Sequence, residues 1–415
     1  GREAGHYYAN KAPGTILIGS VVFAVVRGIA SAFGTGSLEP TTIEFWLYLV
    51  NLMVSVVPVA LAGLALRRVA LTIGASHRRA TGLALLMVFA TPFFPYQTQL
   101  WGHPTAASFA VFGLAAALRL DRRGALICGF CVGMAVLCDY LAILWVILFG
   151  VWWAWKRPRM ITAWVLGGIL PAIAFVAYHE TCFGSPWALA TDTTNGVPQP
   201  DRLAALLLSR YRGLPVHVPL LLLSPVGLGF WLSRRRAHQE IVWLIVAGIS
   251  MYLVTNAAFN GWHAGSSAVA RYQILALPLW VLALEGVPWQ GVWRWIAVLL
   301  ATVSVANMLT LAVVGPLTPE WYGDSPRWWD PTWTPPTELA QGITAENEDH
   351  PFARPDLFYD SVYGWSWREL LLGRVGAAAM LGGVSSLLPL LALLLVGVAW
   401  LLCSARNLDL CREVP

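Results

Sequence analysis

The chain has 415 residues, of which 57% are hydrophobic and only 12% charged. A soluble globular domain carries about twice that share of charged residues, so the composition excludes an ordinary soluble fold and indicates an integral membrane protein. The net charge of +5 does not indicate nucleic-acid binding, because the basic residues are spread over several short segments instead of forming one patch.

Long apolar runs, separated by short basic or aromatic and proline-rich segments, predict an all-α polytopic membrane protein with about 11 transmembrane helices. The predicted spans are 43–66, 80–97, 104–119, 124–139, 140–155, 160–178, 214–232, 239–258, 271–287, 292–314 and 376–403. The chain divides into an external loop end with a juxtamembrane helix (1–42), a transmembrane core (43–314), an external Trp-rich loop (315–373), and a C-terminal span with a cytoplasmic tail (374–415).

The apolar segment 15–33 is predicted to be the juxtamembrane helix and not a span. With about 11 crossings, the basic clusters between the runs share one side, which the positive-inside rule assigns to the cytoplasm. These clusters are Arg67/Arg68 with Arg78/Arg79, Arg119/Arg122/Arg123, Lys156/Arg157/Arg159 and Arg234/Arg235/Arg236. Counting 15–33 as a span would place all of them outside, so we expect this helix to lie in the outer membrane interface.

The stretch "HYYANKAPG" (6–14) places Lys11 just before Pro13, at the predicted start of this helix. An ammonium group and helix N-terminal amides together favour an anion, most simply a phosphate. Tyr7, Tyr8 and Asn10 are expected to add hydrogen bonds. The alternative is a lysine that merely extends to the interface beside a tyrosine belt.

Two titratable side chains are expected at the outer ends of later spans. "QLWGHPTAA" places His103, two residues after Trp101, where its imidazole could accept a proton or ligate a metal; a helix-capping role is the alternative. Asp139 falls where two short apolar runs meet. A carboxylate at membrane depth is a functional candidate, although it could instead cap a helix or pair with an arginine. We therefore take His103 and Asp139 as the catalytic candidates.

The external stretch "FNGWHAGSSAVARYQ" (259–273) ends with Arg271 at the head of a predicted span. The planar guanidinium group can bind a phosphate with two parallel hydrogen bonds, whereas the alternative is an ordinary interfacial anchor. Trp262 and His263 of this loop, together with Trp101, are expected to contact substrate. His179 beside Glu180 has no spacing that specifies a reaction, and the six cysteines show no spacing typical of a metal site.

Five short motifs carry a family resemblance. They are "YYANKAPG" followed by an amphipathic helix, "LWGHP" (100–104), "FGSPW" (183–187), "RGLPVHVPLLLL" (212–223) and "ARYQILALP" (270–278). In this order the chain resembles the multi-span glycosyltransferases of the GT-C superfamily. It is most similar to the bacterial branch related to protein O-mannosyltransferases and the lipid A aminoarabinose transferase.

The resemblance implies a GT-C-like helical bundle in the bacterial inner membrane, with its active side facing the periplasm or exterior. Such enzymes take a sugar from a polyprenyl-phosphate carrier and transfer it to a glycan, lipid or protein acceptor. Their K-x-P lysine, matched by Lys11, lies near the carrier phosphate, and Arg271 is expected to do likewise. The resemblance leaves a divalent metal open.

The chain departs from the family pattern at the catalytic base. The relatives carry their principal catalytic aspartate in the first external loop, before the K-x-P motif, so we expect that aspartate and a first span upstream of residue 1. His103 stands where an acidic residue often lies in the family. The expected function is therefore glycosyl transfer, with a noncatalytic polyprenyl-lipid-binding membrane subunit as the alternative.

Overall fold

The computed structural model describes residues 2–3, 6–7, 11–34, 40–187, 196–209, 212–233, 238–259, 261–262, 264, 267 and 269–314. Several predicted features lie outside the described residues: the Trp-rich loop, the C-terminal span with its tail, Arg234 to Arg236, Tyr8, Asn10 and His263, and also the side chain of Tyr7. The described part is helical apart from one small hairpin, in which β1 (Arg2–Glu3) pairs antiparallel with β2 (His6–Tyr7).

The α-helices of the described ranges follow one another along the chain. They are α1 (Gly14–Ala32), α2 (Pro40–Asn51), α3 (Val57–Thr72), α4 (His77–Phe89), α5 (Phe93–Gln97), α6 (Gly102–Ala117), α7 (Arg122–Cys138), α8 (Ile143–Lys156), α9 (Ile161–Phe183), α10 (Pro200–Leu208), α11 (Leu214–His217), α12 (Leu223–Ser233), α13 (Gln239–Ala258), α14 (Leu277–Ala283) and α15 (Gly291–Val314). Short 3₁₀ turns occupy Tyr140–Ala142, Pro158–Met160, Pro219–Leu222, Arg271–Ala276 and Leu284–Gly286.

The class of helical membrane protein predicted from composition is confirmed. Within the described residues, 5 helical segments are long and apolar enough to cross a membrane: Gly14–Ala32, Phe45–Thr72, Pro158–Phe183, Gln239–Ala258 and Gly291–Leu309. Two shorter apolar segments are Tyr140–Lys156 and Pro219–Ser233. The count of about 11 spans and the GT-C arrangement stay predictions.

Two predicted spans are interrupted. Segment 80–97 is divided between α4 and α5, with Pro92 between the two helices and Pro95 inside the second. Segment 271–287 consists of a 3₁₀ turn, the short α14 and a second 3₁₀ turn. Proline lacks the amide that an α-helix needs, and hydropathy alone does not reveal where such breaks fall.

The juxtamembrane candidate α1 contacts the rest of the bundle near its start. Its buried residues are Gly14, Thr15 and Gly19. Farther along, Val21 and Ile29 are exposed to 64% and 57%. Length and apolarity also suit a span, and α1 is as little buried as the candidate span Pro158–Phe183, so its place as a juxtamembrane helix stays a prediction.

Arg119 and Lys156, from two of the basic clusters, lie at the opposite end of the bundle from the starts of α1 and α6. α6 ends beside Arg119, whereas its start touches the end of α7, because a Cβ on Gly102 would lie 2.2 Å from the carbonyl oxygen of Cys138. Lys156 at the end of α8 pairs with Glu240 at the start of α13, with 3.4 Å between nitrogen and oxygen. We call the end that contains Arg119 and Lys156 the basic end. The site end contains the starts of α1 and α6 and the end of α7.

A π-helical turn, Leu52–Val56, joins α2 to α3 at the site end. Such a turn does not follow the regular α-helical hydrogen-bond ladder, and here the carbonyl oxygen of Val54 accepts a hydrogen bond from Thr105 Oγ1 at 2.8 Å. Next to the turn, Asn51 Nδ2 donates to the carbonyl oxygen of Gln97 at 3.1 Å. These bonds tie the α2–α3 helix to the segment that carries Trp101 and His103.

Candidate functional site

Helix termini converge at the site end because glycines allow backbone contact. A Cβ on Gly14, the first residue of α1, would lie 2.6 Å from the carbonyl carbon and oxygen of Leu137, in the last turn of α7. Gly102, the first residue of α6, makes the even closer approach to Cys138 described above. Only glycine permits such proximity, so two helix N-termini lie on the C-terminus of α7. Asp139 follows that C-terminus directly.

His103 and Asp139 form a buried pair. Nδ1 of His103 is hydrogen-bonded to Oδ2 of Asp139, and their side chains are only 14% and 8% exposed. Oδ1 of Asp139 accepts a hydrogen bond from the amide of Leu141 at 3.0 Å, so the same carboxylate also caps the 3₁₀ turn Tyr140–Ala142. Because Nδ1 is the nitrogen that faces the carboxylate, Nε2 is the nitrogen left to accept a proton. The structure thus brings together the two residues predicted to be catalytic.

Arg271 lies against an aromatic wall next to this pair. Its guanidinium carbon is 4.5 Å from the ring centroid of Trp101 and 5.7 Å from that of Tyr272. Trp101 is itself oriented by a hydrogen bond from Nε1 to Gln99 Oε1 at 2.8 Å. Nε of Arg271 is buried and has no hydrogen-bond partner among the described residues. Stacking therefore holds the guanidinium in place where carboxylate pairing would usually do so.

Lys11 belongs to the same electrostatic site. The residue is exposed, whereas Ala12 and Pro13 after it are buried against the bundle. The pKa of Lys11 is lowered from its ordinary value, first by partial burial and second by the positive charge of Arg271, while Asp139 acts in the opposite direction. The ammonium and guanidinium groups thus repel each other, although they are far apart in sequence.

Tyr272 is a site residue that the sequence analysis did not select. Its ring meets that of His103 edge-on, with centroids 5.8 Å apart, and that of Phe259 at the same distance. His103 also lies 5.9 Å from the ring of Trp101. The only signal in the sequence was its position directly after Arg271 in "ARYQ".

A network of buried polar groups holds the segment that carries Arg271. Gln273 Nε2 donates to the carbonyl oxygen of Tyr252 and to Asn256 Oδ1, both at 3.1 Å. Nδ2 of Asn256 then donates to the carbonyl oxygen of Trp262 at 2.7 Å. The Trp262 ring, predicted to contact substrate, is buried with 6% exposure. Its role as a substrate contact stays a prediction, as does that of Trp101, whose ring contacts Arg271.

A second histidine, His179, is buried beside Tyr140, the residue that follows Asp139. His179 Nδ1 donates to the carbonyl oxygen of Phe175 at 2.9 Å, and Nε2 accepts from the hydroxyl of Tyr140 at 3.0 Å. The imidazole is stacked on Phe175, with 4.1 Å between ring centroids. The contact anchors the turn that follows Asp139 to α9.

Within the described residues, no group of three or more His, Cys, Asp or Glu side chains could hold a metal ion. Comparisons with protein-family models, curated proteins and solved structures find no match to the chain. The GT-C resemblance therefore rests on the short motifs, and the geometry of the site end carries the argument about function.

Proposed function

We propose that the chain binds a polyprenyl-phosphate-linked sugar at the site end and transfers the sugar to an acceptor, as a GT-C-like glycosyltransferase. The observation that carries the proposal is the convergence of two cations, Lys11 and Arg271, on the His103–Asp139 pair. The cations suit the carrier phosphate, and the pair suits removal of a proton from an acceptor hydroxyl group.

The balance of charge at the site favours an anionic ligand. Lys11 and Arg271 repel each other, and Asp139 is already hydrogen-bonded to His103. A phosphate group between the cations would relieve that repulsion and accept charge-assisted hydrogen bonds from both. The stacked guanidinium is also pre-oriented, so binding costs less side-chain entropy than it would for a freely rotating arginine.

The surroundings of the site favour a phosphate that is attached to a lipid chain. Along α1, Val21, Val25 and Ile29 recur every fourth residue and are each more than half exposed. This spacing places them on one helix face, which begins two turns after the end that contacts the site. A polyprenyl chain could lie along that apolar face while its phosphate group reaches Lys11.

The sidedness follows from the basic end. The positive-inside rule places Arg119 and Lys156 in the cytoplasm, so the site end faces the periplasm or exterior of a bacterial inner membrane. In this orientation α1 lies in the outer interface as a juxtamembrane helix, and the remaining helices belong to a GT-C-like bundle of about 11 spans. The acceptor is a glycan, lipid or protein that is reached from that side.

The test measures binding and transfer separately, using the full chain purified in detergent. Undecaprenyl phosphate is the binding probe, and K11A and R271A are expected to weaken its affinity about tenfold or more, because each removes a charge-assisted hydrogen bond worth about 1.5–3 kcal/mol. R159A is the matched control, since Arg159 is an exposed cation in the 3₁₀ turn that joins α8 to α9 at the basic end. Unchanged affinity in both site variants would overturn the phosphate assignment.

Transfer is measured with a panel of undecaprenyl-phosphate hexoses and pentoses, by release of the carrier phosphate in the presence of membrane lipid and glycan acceptors. Release that depends on Lys11 and Arg271 supports the glycosyltransferase. Binding that depends on both residues without any release would instead support the noncatalytic polyprenyl-lipid-binding subunit.

A further inference from the structure

The two oxygens of Asp139 each accept a hydrogen bond from the protein, which helps to choose between the two catalytic candidates as proton acceptor. Oδ2 is bonded to His103 Nδ1 and Oδ1 to the amide of Leu141. On the other side of the imidazole, Nε2 of His103 makes no hydrogen bond within the described ranges of the chain. Nε2 is thus the polar side-chain atom of this pair that has no hydrogen bond to another described residue, which favours His103 as the proton acceptor and Asp139 as the residue that positions it.

We propose that His103 takes the proton of the acceptor hydroxyl group, an inference that rests on the proposed function. The new positive charge of His103 then balances the second negative charge that forms on the carrier phosphate. The acceptor oxygen forms a bond to the anomeric carbon. The bond from that carbon to the phosphate oxygen breaks, and its electron pair stays on the phosphate. The acceptor proton moves to Nε2 of His103.

The charges balance at each stage. The donor is a phosphodiester with one negative charge, and the departing carrier is a phosphate monoester with two negative charges near neutral pH. Over the same step the His103–Asp139 pair changes from one net negative charge to none. The sum over ligand and pair is unchanged, so charge separation in a site of low dielectric constant is avoided.

The arrangement of rings places the new charge next to the phosphate-binding cation. His103 and Arg271 contact the same two rings, those of Trp101 and Tyr272. Lys11 also belongs to this region: its pKa is lowered first by partial burial and second by the positive charge of Arg271, while Asp139 acts in the opposite direction. Protonation of His103 should therefore strengthen the binding of a doubly charged phosphate, and the bound phosphate should in turn favour protonation of His103.

Other charged or titratable groups near the His103–Asp139 pair do not alter how protonation of His103 depends on the charge of the bound phosphate. Tyr272 and Tyr140 flank His103 and Asp139, and phenols stay neutral near pH 7. Behind Trp101 lies Tyr96, which also feels the charge of the buried Arg212. Arg212 keeps its positive charge whether or not a phosphate is bound, so it shifts the affinities for a phosphate monoester and a phosphodiester in the same direction.

The experiment compares two short probes in detergent: farnesyl phosphate, a monoester, and methyl farnesyl phosphate, its diester. Binding to the full chain is measured at several pH values between about 7 and 8.5, where the monoester keeps two charges because its second pKa is about 6. The wild-type affinity for the monoester should fall with rising pH by up to about tenfold per unit, whereas diester affinity should stay within about twofold.

Three variants separate this mechanism from a structural role. H103Q can keep the hydrogen bond to Asp139 but cannot take the charge, so it should lose the pH dependence of monoester binding. D139N removes one negative charge and should bind the monoester more tightly than the wild type at pH 8.5, while transfer falls. H238Q is the matched control, because His238 is 42% exposed at the start of α13, at the basic end.

An equal pH dependence in wild type and H103Q, or one shared by both probes, would overturn the charge coupling while leaving the lipid-phosphate site intact. If neither probe binds at any pH, the proposed function fails, and the coupling fails with it. A monoester-specific pH dependence that disappears only in H103Q supports the inference whether or not an acceptor has been found.

Discussion

Gly14 offers the sharpest test of how the site is assembled. A Cβ at this position would lie 2.6 Å from the carbonyl carbon and oxygen of Leu137 and 2.7 Å from the amide nitrogen of Cys138. All three are backbone atoms, so none can rotate aside. Ordinary contact begins near 3.4 Å, so in Gly14→Ala the start of α1 must retreat by about 0.8 Å or more from the end of α7.

That displacement should cost both stability and affinity. Overpacking of this kind costs about 1–3 kcal/mol. Lys11 lies three residues before Gly14, on the same segment, and moves with it away from Arg271 and Asp139. If the charge-assisted hydrogen bond from Lys11 to the bound phosphate is weakened by about 1.4 kcal/mol, the affinity for undecaprenyl phosphate falls about tenfold.

The control is Gly28→Ala in the same helix, where a Cβ would meet nothing within 4 Å. This variant should be as stable as the wild type or more so by up to about 1 kcal/mol, because alanine favours the helix. Thermal unfolding in detergent gives the stability, and titration with undecaprenyl phosphate gives the dissociation constant. A Gly14→Ala protein that matches the wild type in both measurements would refute the close contact and the coupling of Lys11 to it.

Three further outcomes are expected. Trp101→Leu removes the ring under Arg271 and should weaken binding of undecaprenyl phosphate by about 0.5–2 kcal/mol, whereas Trp155→Leu, which removes a similar contact to Lys156, should leave the dissociation constant unchanged. Tyr252→Phe deletes the 3.1 Å hydrogen bond to the carbonyl oxygen of Leu141 and should lower the free energy of unfolding by about 1 kcal/mol; an unchanged thermal midpoint would show that this bond does not hold the turn after Asp139. Asp121 caps α7, and its pKa is lowered first by the hydrogen bond from the amide of Gly124 and second by Arg119. The cap therefore stabilises the fold at pH values above the ordinary aspartate pKa, and this stabilisation is lost as the pH falls through the lowered pKa. Asp121→Ala should reduce the thermal midpoint at pH 7 but not in acid, and an equal reduction at both pH values would contradict this assignment.

The class of protein and the position of the site residues along the chain could be predicted from the sequence. Composition and the length of the apolar runs are enough to indicate helices in a membrane, because the lipid environment demands both. Lys11, His103, Asp139 and Arg271 were each selected because they occupy the end of an apolar segment. A predicted helix end is a local property, so it can be found without knowledge of the tertiary structure.

The pairing of these residues could not be predicted in the same way. His103 meets Asp139 because Gly102 lets α6 approach α7, and a glycine's role in close packing leaves no hydropathy signal. The sequence analysis considered an arginine as the partner of Asp139 and missed Tyr272 altogether. The broken helices have a related cause, since the effect of Pro92 depends on how the freed carbonyl groups are satisfied by neighbours.

The π-helical turn has a geometric consequence for Lys11. A π turn contains about one residue more than an α turn, so the faces of α2 and α3 are rotated against each other by about 100°. Val50 just before the turn contacts α1 at Gly19, while Val54 within it bonds α6 through Thr105. The extra residue thus sets which face of the α2–α3 helix meets α1 and which face meets α6. Deleting one residue from Leu52–Val56 would restore the α-helical phase and remove the contact of Val50 with Gly19, so the α1 segment that follows Lys11 would lose one of its supports although no residue of the site itself had been changed.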